Sequence, residues 1–306
     1  MTRMTTNLTK PISIKLFFAM LVVTIGAEVL LYLTRYSYLA STLYDAMMVS
    51  SFFVGLKLHE RISSGEQTLL SKRQQMLKFT GAFLLFFLGS TVINVYSSST
   101  FNDFNVDYDQ YVQDYTDMQM DVGEHPETDK GKITEPVTGF FEQVDNVGAD
   151  LYTDALAGLE EVWRLAYIVL LLVGCKKLFP NRWASGNRDG FLMFALFLTS
   201  ILFGIDHTLD TAEAWGVKIG AIVTFANMGL LFGLILLWTR SLWVTVLVHS
   251  LYDISATFSW YYVDYAVEMV AFAVLIVHAV LLTLEKIKQN RTLDQIKTPE
   301  GVQVSD

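Results

Sequence analysis

The chain has little cysteine and little positive charge. Its one cysteine, Cys175, lies within an apolar run, so an internal disulfide and a cysteine-rich metal site are both excluded. Lys and Arg number 22 against 31 Asp and Glu, which gives a net charge of −9. Recognition of nucleic acid needs a basic face that neutralises phosphates. Nucleic acid is therefore not an expected partner.

Charged residues of both signs are scarce, at 17% of the chain, whereas 52% of the residues are hydrophobic. An ordinary soluble domain has about 25% charged residues, so this composition favours a protein embedded in the lipid bilayer. A spanning helix needs about 20 mostly apolar residues. Eight segments meet this need, near residues 13–34, 38–57, 79–96, 156–176, 190–206, 217–238, 241–259 and 264–284. The predicted fold class is an all-α polytopic membrane protein with about eight transmembrane helices.

These spans divide the chain into four regions. Residues 1–96 are an N-terminal membrane region with three spans, and residues 97–155 are an acidic loop outside the membrane. Residues 156–285 form a second helical core, and residues 286–306 form a tail. If the spans alternate in direction, most of the 22 basic residues fall on one side. Because short basic loops stay in the cytoplasm, we predict a cell-membrane protein with cytoplasmic termini and an extracytoplasmic acidic loop.

Ionisable side chains within membrane spans are costly, so each is a candidate functional residue. The fourth span opens with Glu160, Glu161 and Arg164. Helical geometry places Arg164 one turn from both carboxylates, at i+4 from Glu160 and i+3 from Glu161. One carboxylate can therefore pair with the guanidinium while the other is left for chemistry. The alternative is an interfacial charge cluster that ends the helix.

Two further spans carry the histidines of the candidate motifs. The fifth ends in Phe203 to His207, and a lone histidine at a helix end is most often an interfacial polar residue. In the seventh, His249 and Asp253 lie one turn apart on the same helical face. An aspartate at that spacing can hold the tautomer of the imidazole or complete a metal shell. Asn227, in the sixth span, is expected to form an interhelical hydrogen bond.

These residue types support hydrolysis of a peptide bond by water. A glutamate can act as the general base, and two histidines can orient the water and stabilise the oxyanion. Alternatively, the histidines can bind a zinc ion that does both, with Glu160, His207 and His249 as the metal ligands. The sequence leaves these two schemes open. The absence of a His-Glu-x-x-His motif argues against a zincin site.

The order and spacing of the motifs resemble the CPBP family, which includes type II CAAX prenyl endopeptidases and bacterial Abi proteins. Its members share an eight-helix bundle and the motifs Glu-Glu-x-x-x-Arg, Phe-x-x-x-His and His-x-x-x-Asn or Asp. The corresponding residues here are Glu160, Glu161, Arg164, Phe203, His207, His249 and Asp253. The resemblance covers about residues 156–259 and implies an intramembrane endopeptidase, acting on a membrane-associated peptide or protein, whose catalytic core is residues 156–285.

The first motif departs from the family pattern, because two residues instead of three separate Glu161 from Arg164. Alignment on the carboxylates makes Glu160 the catalytic residue and pairs Glu161 with Arg164, whereas alignment on Arg164 would put Leu159 in the catalytic position. The related PrsW-type proteases have the shorter spacing with a lysine, but a glutamate in place of His207. The chain is therefore nearer to CPBP than to PrsW.

We therefore expect Glu160 to activate water. His207 and His249 would orient the water or stabilise the oxyanion, and Asp253 would assist His249. Helix lengths place the site in the outer half of the membrane, provided that the helix of His249 is tilted or begins at a different level. A prenylated CAAX terminus is cytosolic, so another membrane-associated substrate is expected. The alternatives are an inactive scaffold or chaperone and a proton-coupled transporter, although no internal repeat is visible.

Overall fold

The computed structural model describes residues 2–34, 36–63, 70–101, 147–149, 151–209 and 215–297. Within these ranges the regular structure is helical and no strand occurs. The helices are α1 (Thr2–Leu8), α2 (Ile14–Thr34), α3 (Tyr38–Ser63), α4 (Lys72–Thr100), α5 (Glu160–Leu178), α6 (Pro180–Ala184), α7 (Arg188–Asp206), α8 (Trp215–Thr239), α9 (Leu242–Tyr261) and α10 (Ala266–Lys297). Helix α2 includes one π-helical stretch, Val22–Gly26.

Six of these helices are long and apolar enough to cross a membrane: α2, α3, α4, α7, α8 and the Ala266–Asn290 part of α10. The two remaining long helices, α5 with 19 residues and α9 with 20, are those that carry the first and third polar motifs. Each of the eight predicted spans thus coincides with a helix. The predicted fold class, an all-α polytopic membrane protein, is confirmed.

The predicted acidic loop lies largely outside the described residues. Helix α4 continues to Thr100, four residues into the region assigned to the loop, and residues 151–157 are helical immediately before α5. At the other end of the chain, α10 extends from the last predicted span into the predicted tail as far as Lys297. The side on which the termini lie stays a prediction.

Helix α5 occupies the centre of the bundle. It packs against α2, α3, α7 and α9, and most of its length is buried, including Leu165, Ile168 and Leu172. By contrast, α10 is apolar but scarcely buried, and Phe272 and Leu275 are exposed on it. In a bilayer the outer helices can present such surfaces to lipid, whereas the ionisable residues at the start of α5 are enclosed by protein, where they can find partners.

The turn between α8 and α9 is buried within the bundle instead of lying at its surface. Thr239, Ser241 and Leu242 are all buried, and Arg240 adopts a left-handed backbone conformation with φ of 52°. The Ser241 hydroxyl accepts a hydrogen bond from the Val244 N–H at 3.3 Å and so caps the start of α9. Because α9 begins inside the fold, its middle can meet the first turn of α5.

Candidate active site

The first motif forms a buried ion pair within one turn of α5. A guanidinium nitrogen of Arg164, Nη2, donates to Glu161 Oε2, so the i+3 pair predicted from the spacing is present. Glu161 is completely buried and Arg164 is 4% exposed. Nη1 of Arg164 donates to the backbone carbonyl of Gly229 on α8. A buried charge needs partners of this kind to offset its loss of hydration.

Two phenylalanines hold the Arg164 guanidinium from other helices. Its central carbon lies 5.6 Å from the ring centroids of both Phe203 on α7 and Phe232 on α8. A cation this close to an aromatic ring is attracted by the ring's electrons. Arg164 therefore joins α5, α7 and α8 through one side chain while it is paired with Glu161.

The third motif places a histidine between two carboxylates. His249 Nδ1 lies 3.4 Å from Glu161 Oε1, and His249 Nε2 lies 3.2 Å from Asp253 Oδ2. The ring is almost completely buried and stacks on Phe232, with centroids 4.4 Å apart. The contact with Asp253 follows from the predicted spacing, whereas the contact with Glu161 links the first and third motifs. Together these neighbours fix the orientation of the imidazole.

The second motif is held by its own helix end. His207 Nδ1 lies 2.7 Å from the carbonyl oxygen of Phe203, one turn earlier. Because a carbonyl can only accept, Nδ1 must carry the proton, and Nε2 of the neutral ring is then an acceptor. The ring also stacks on Phe225 of α8, with centroids 4.2 Å apart. The geometry therefore selects one tautomer of His207.

A cavity of about 50 Å³ connects the first and second motifs. This volume is sufficient for at least one water molecule. Its ionisable and tyrosine lining comprises Glu28, Tyr44, Glu160, Arg164, Tyr167, Asp206 and His207. Within the described part of the chain, His249 and Asp253 are not among the lining residues, but both interact electrostatically with Glu160. The structure thus brings Glu160 and His207 to one cavity and places His249 and Asp253 within electrostatic range of it.

Three cavity residues were missed by reasoning from the sequence. Tyr167 of α5 donates a hydrogen bond of 3.1 Å to Glu28 of α2, and Glu28 and Asp206 both line the cavity. A signal for two of them was present, because Glu28 is the sole charged residue between positions 16 and 33 and Asp206 directly precedes His207. Nothing in the sequence marked Tyr167, which lies in an aromatic and aliphatic run.

The residues predicted as possible metal ligands are Glu160, His207 and His249. Among the residues that the structure describes, no three His, Cys, Asp or Glu side chains are arranged to hold a metal ion. Glu160, His207 and His249 are thus not grouped as a ligand set in this arrangement, and their role as metal ligands stays a prediction.

A glycine permits the close approach of α9 to the start of α5. A Cβ atom at Gly158 would lie 2.5 Å from the Val246 carbonyl oxygen and would overlap the Ser250 hydroxyl. That hydroxyl donates to the Ala155 carbonyl at 2.9 Å. The absence of a side chain at Gly158 thus brings Glu161, three residues later, to His249.

Gly158→Ala should therefore destabilise the protein by about 1–3 kcal/mol through overpacking and lower any activity that needs the contact between Glu161 and His249. Thermal unfolding in detergent measures the first effect. Gly174→Ala is the matched control, because it lies on α5 with no atom within 4 Å of an added Cβ. That change should be neutral or stabilising by up to about 1 kcal/mol. Equal effects of the two substitutions would contradict the packing argument.

Comparison with known proteins agrees with the motif pattern. Residues 159–255 match the family model described as Type II CAAX prenyl endopeptidase Rce1-like. No curated protein and no solved structure matches the chain. The matched range contains all three motifs and the whole of helices α5 to α8, with most of α9. It confirms the resemblance to CPBP and CAAX proteases, whereas the relation to PrsW-type proteases stays a prediction.

Proposed function

We propose that this membrane protein is an intramembrane endopeptidase, because residues 159–255 match the family model of type II CAAX prenyl endopeptidases. Its substrate would be a peptide or protein associated with the membrane. The observation that carries this proposal is the cavity shared by Glu160 and His207 inside the helical bundle. The cavity can hold water next to a carboxylate, and hydrolysis needs that juxtaposition.

In the first proposed step, Glu160 removes a proton from a water molecule in the cavity as the water attacks the carbonyl carbon of the scissile bond. The nucleophile is the water oxygen, so no covalent intermediate with the chain forms. His207 supports this step through Nε2, which is an acceptor because Nδ1 donates to the Phe203 carbonyl. Glu161 stays paired with Arg164, so no proton transfer is assigned to it.

In the second step, the tetrahedral intermediate collapses and the bond between carbon and nitrogen breaks. The proton held by Glu160 passes to the leaving nitrogen, which balances the reaction and restores the carboxylate. His249 is assigned to the electrostatic stabilisation of the oxyanion, because Glu161 and Asp253 hold its ring in one orientation and it interacts with Glu160 at the cavity. Preorganised polar groups beside a reacting centre stabilise charge that develops in the transition state.

The proposal also includes the location of the chain and the roles of its regions. The chain would lie in the cell membrane with both termini in the cytoplasm, since most basic residues then fall on the cytoplasmic side. Residues 156–285 would be the catalytic core, residues 1–96 the supporting membrane region and residues 286–306 the cytoplasmic tail. Glu28 of α2 lies in the wall of the cavity, which supports the assignment of residues 1–96 as a region that helps to form the site.

The direct test is hydrolysis of quenched fluorescent peptides, prenylated and unprenylated, by the purified protein in liposomes. His249→Asn should lower the turnover number by about 10²-fold or more, since one preorganised group at an oxyanion contributes that much. His278→Asn is the matched control, because His278 bonds Thr80 at 2.7 Å and does not line the cavity.

Three results would contradict the proposal. A wild-type protein that binds peptides but cleaves none, with binding unchanged by His249→Asn, would indicate the scaffold or chaperone. Uptake of a solute into sealed vesicles that collapses with the proton gradient would indicate the transporter. Equal losses of turnover in His249→Asn and His278→Asn would remove the assignment of His249.

A further inference from the structure

A second cavity, of about 570 Å³, lies at the opposite end of α5 from the candidate active site. Lys176, one of its lining residues, is 16 positions from Glu160, or roughly 24 Å along the helix. The cavity is formed by the segment that joins α1 to α2, the beginning of α2 and the end of α5. We name it the lysine cleft, because Lys10, Lys176 and Lys177 line it. Because the lysine cleft lies this far from Glu160, it takes no part in the proposed hydrolysis.

The wall of the lysine cleft is fixed by hydrogen bonds. Arg61 of α3 donates to the backbone carbonyls of Lys10 and Pro11, at 3.0 and 2.9 Å. Lys176 donates to the Thr9 carbonyl at 3.4 Å, which joins the segment to α5. The Ser13 hydroxyl then caps α2. The segment that carries Lys10 is therefore held in place before any ligand arrives.

The positive charge of the lysine cleft is not neutralised by carboxylates of the described residues. Among the described residues, no carboxylate lies within ion-pair distance of Lys10, Lys176 or Lys177, and all three side chains are exposed. Three ammonium groups around one concave site attract an anion. Phosphate oxygens suit them, because each ammonium offers several hydrogen-bond donors without a fixed geometry.

The remaining walls of the cleft are apolar. Ile12, Ile14, Phe17 and Val173 line it, and Ile14 is 73% exposed at the beginning of a helix that can span a membrane. A free anion such as phosphate would gain nothing from these side chains. A molecule with both an anionic head and hydrocarbon tails would contact both kinds of wall. The volume is in the range of sites that hold small molecules.

We propose that the lysine cleft binds an anionic phospholipid. The headgroup phosphate lies among Lys10, Lys176 and Lys177, and the first methylenes of the acyl chains lie against Ile14 and Phe17. Basic pockets at the membrane boundary recognise acidic headgroups through the same combination of charge and apolar surface. The lipid would join the α1–α2 segment to α5 and stabilise the end of the central helix.

The test uses the full chain in neutral detergent, with thermal unfolding followed as lipid is titrated. Dioleoyl phosphatidylglycerol should raise the Tm, whereas dioleoyl phosphatidylcholine and inorganic phosphate should not. Lys10→Gln with Lys177→Gln should weaken the apparent affinity for phosphatidylglycerol about 30-fold, given the contribution of each lysine near an anionic surface. The control, Lys15→Gln with Lys72→Gln, removes the same charge from exposed residues outside the cleft and should change the affinity little.

A third variant, Val173→Phe, keeps the lysines and fills part of the cleft, so it should also weaken binding of phosphatidylglycerol. The proposal is overturned if phosphatidylcholine or phosphate raises the Tm as much as phosphatidylglycerol does. It is also overturned if the control pair loses as much affinity as the cleft pair, or if Val173→Phe binds like the wild type. None of these measurements depends on peptide hydrolysis, so failure here leaves the proposed function untouched.

Discussion

Glu160→Gln should abolish peptide hydrolysis, with a loss of turnover of about 10³-fold, within the range contributed by a general base. Glutamine has nearly the same shape as glutamate but cannot take a proton from water. Glu160 lines the cavity beside Arg164 and His207, so the substitution removes the base and leaves the walls in place. The measurement is the initial rate of cleavage of a fluorescent peptide by protein reconstituted in liposomes.

Glu60→Gln is the matched control, since Glu60 is an exposed glutamate whose ion-pair partner is Lys57 at 3.2 Å. It should leave the rate unchanged. The result that would contradict the assignment is turnover in Glu160→Gln equal to that of the wild type. If Glu161→Gln alone abolished cleavage while the folded fraction stayed constant, the roles of the two adjacent carboxylates would be reversed.

Arg164→Met should cost about 3–5 kcal/mol of stability, because it leaves the Glu161 carboxylate buried without its cation. The same change removes the hydrogen bond to the Gly229 carbonyl and the contacts with Phe203 and Phe232. The free energy of unfolding in mixed micelles measures this effect. Methionine fills much of the same volume as arginine, so the loss of stability reflects the missing positive charge more than lost packing.

A matched arginine lies at the edge of the bundle. Arg73 pairs with Glu285 at 3.6 Å, and its side chain is 37% exposed. Arg73→Met should cost less than about 1 kcal/mol, since solvent screens such a pair. The double variant Arg164→Met with Glu161→Gln should recover part of the loss, because the stranded charge is gone. If Arg164→Met were no more destabilising than Arg73→Met, the buried pair would have no special role.

Features that depend on short stretches of sequence could be predicted. The spans follow from apolar runs of about 20 residues, and each coincides with a helix. The pairs Glu161–Arg164 and His249–Asp253 follow from helical spacing, because residues three or four apart lie on one face. These contacts form whenever their own helix forms, so the neighbouring helices need not be known.

Contacts between helices could not be derived in this way. The approach of His249 to Glu161 depends on the buried turn before α9 and on the small residue at Gly158. The acceptor for Arg164 on α8 is the backbone of Gly229, which no side-chain pattern marks. Asn227 was predicted to bond between helices, and this was wrong. Its side chain donates to the Val223 carbonyl of its own helix at 2.8 Å.

The position of the ion pair within α5 also bears on how the protein enters the membrane. Arg164 and Glu161 belong to the same turn, so the helix brings a counter-ion for its buried arginine before any other helix has packed against it. An isolated charge within a membrane span raises the free energy of insertion, by up to about 2.5–3.5 kcal/mol when it lies at the helix centre. When the opposite charges of a helix are already paired, that turn carries little net charge as the helix passes from the translocation machinery into the bilayer. The shortened spacing between Glu161 and Arg164 is therefore compatible with efficient membrane integration of the most polar helix of the site.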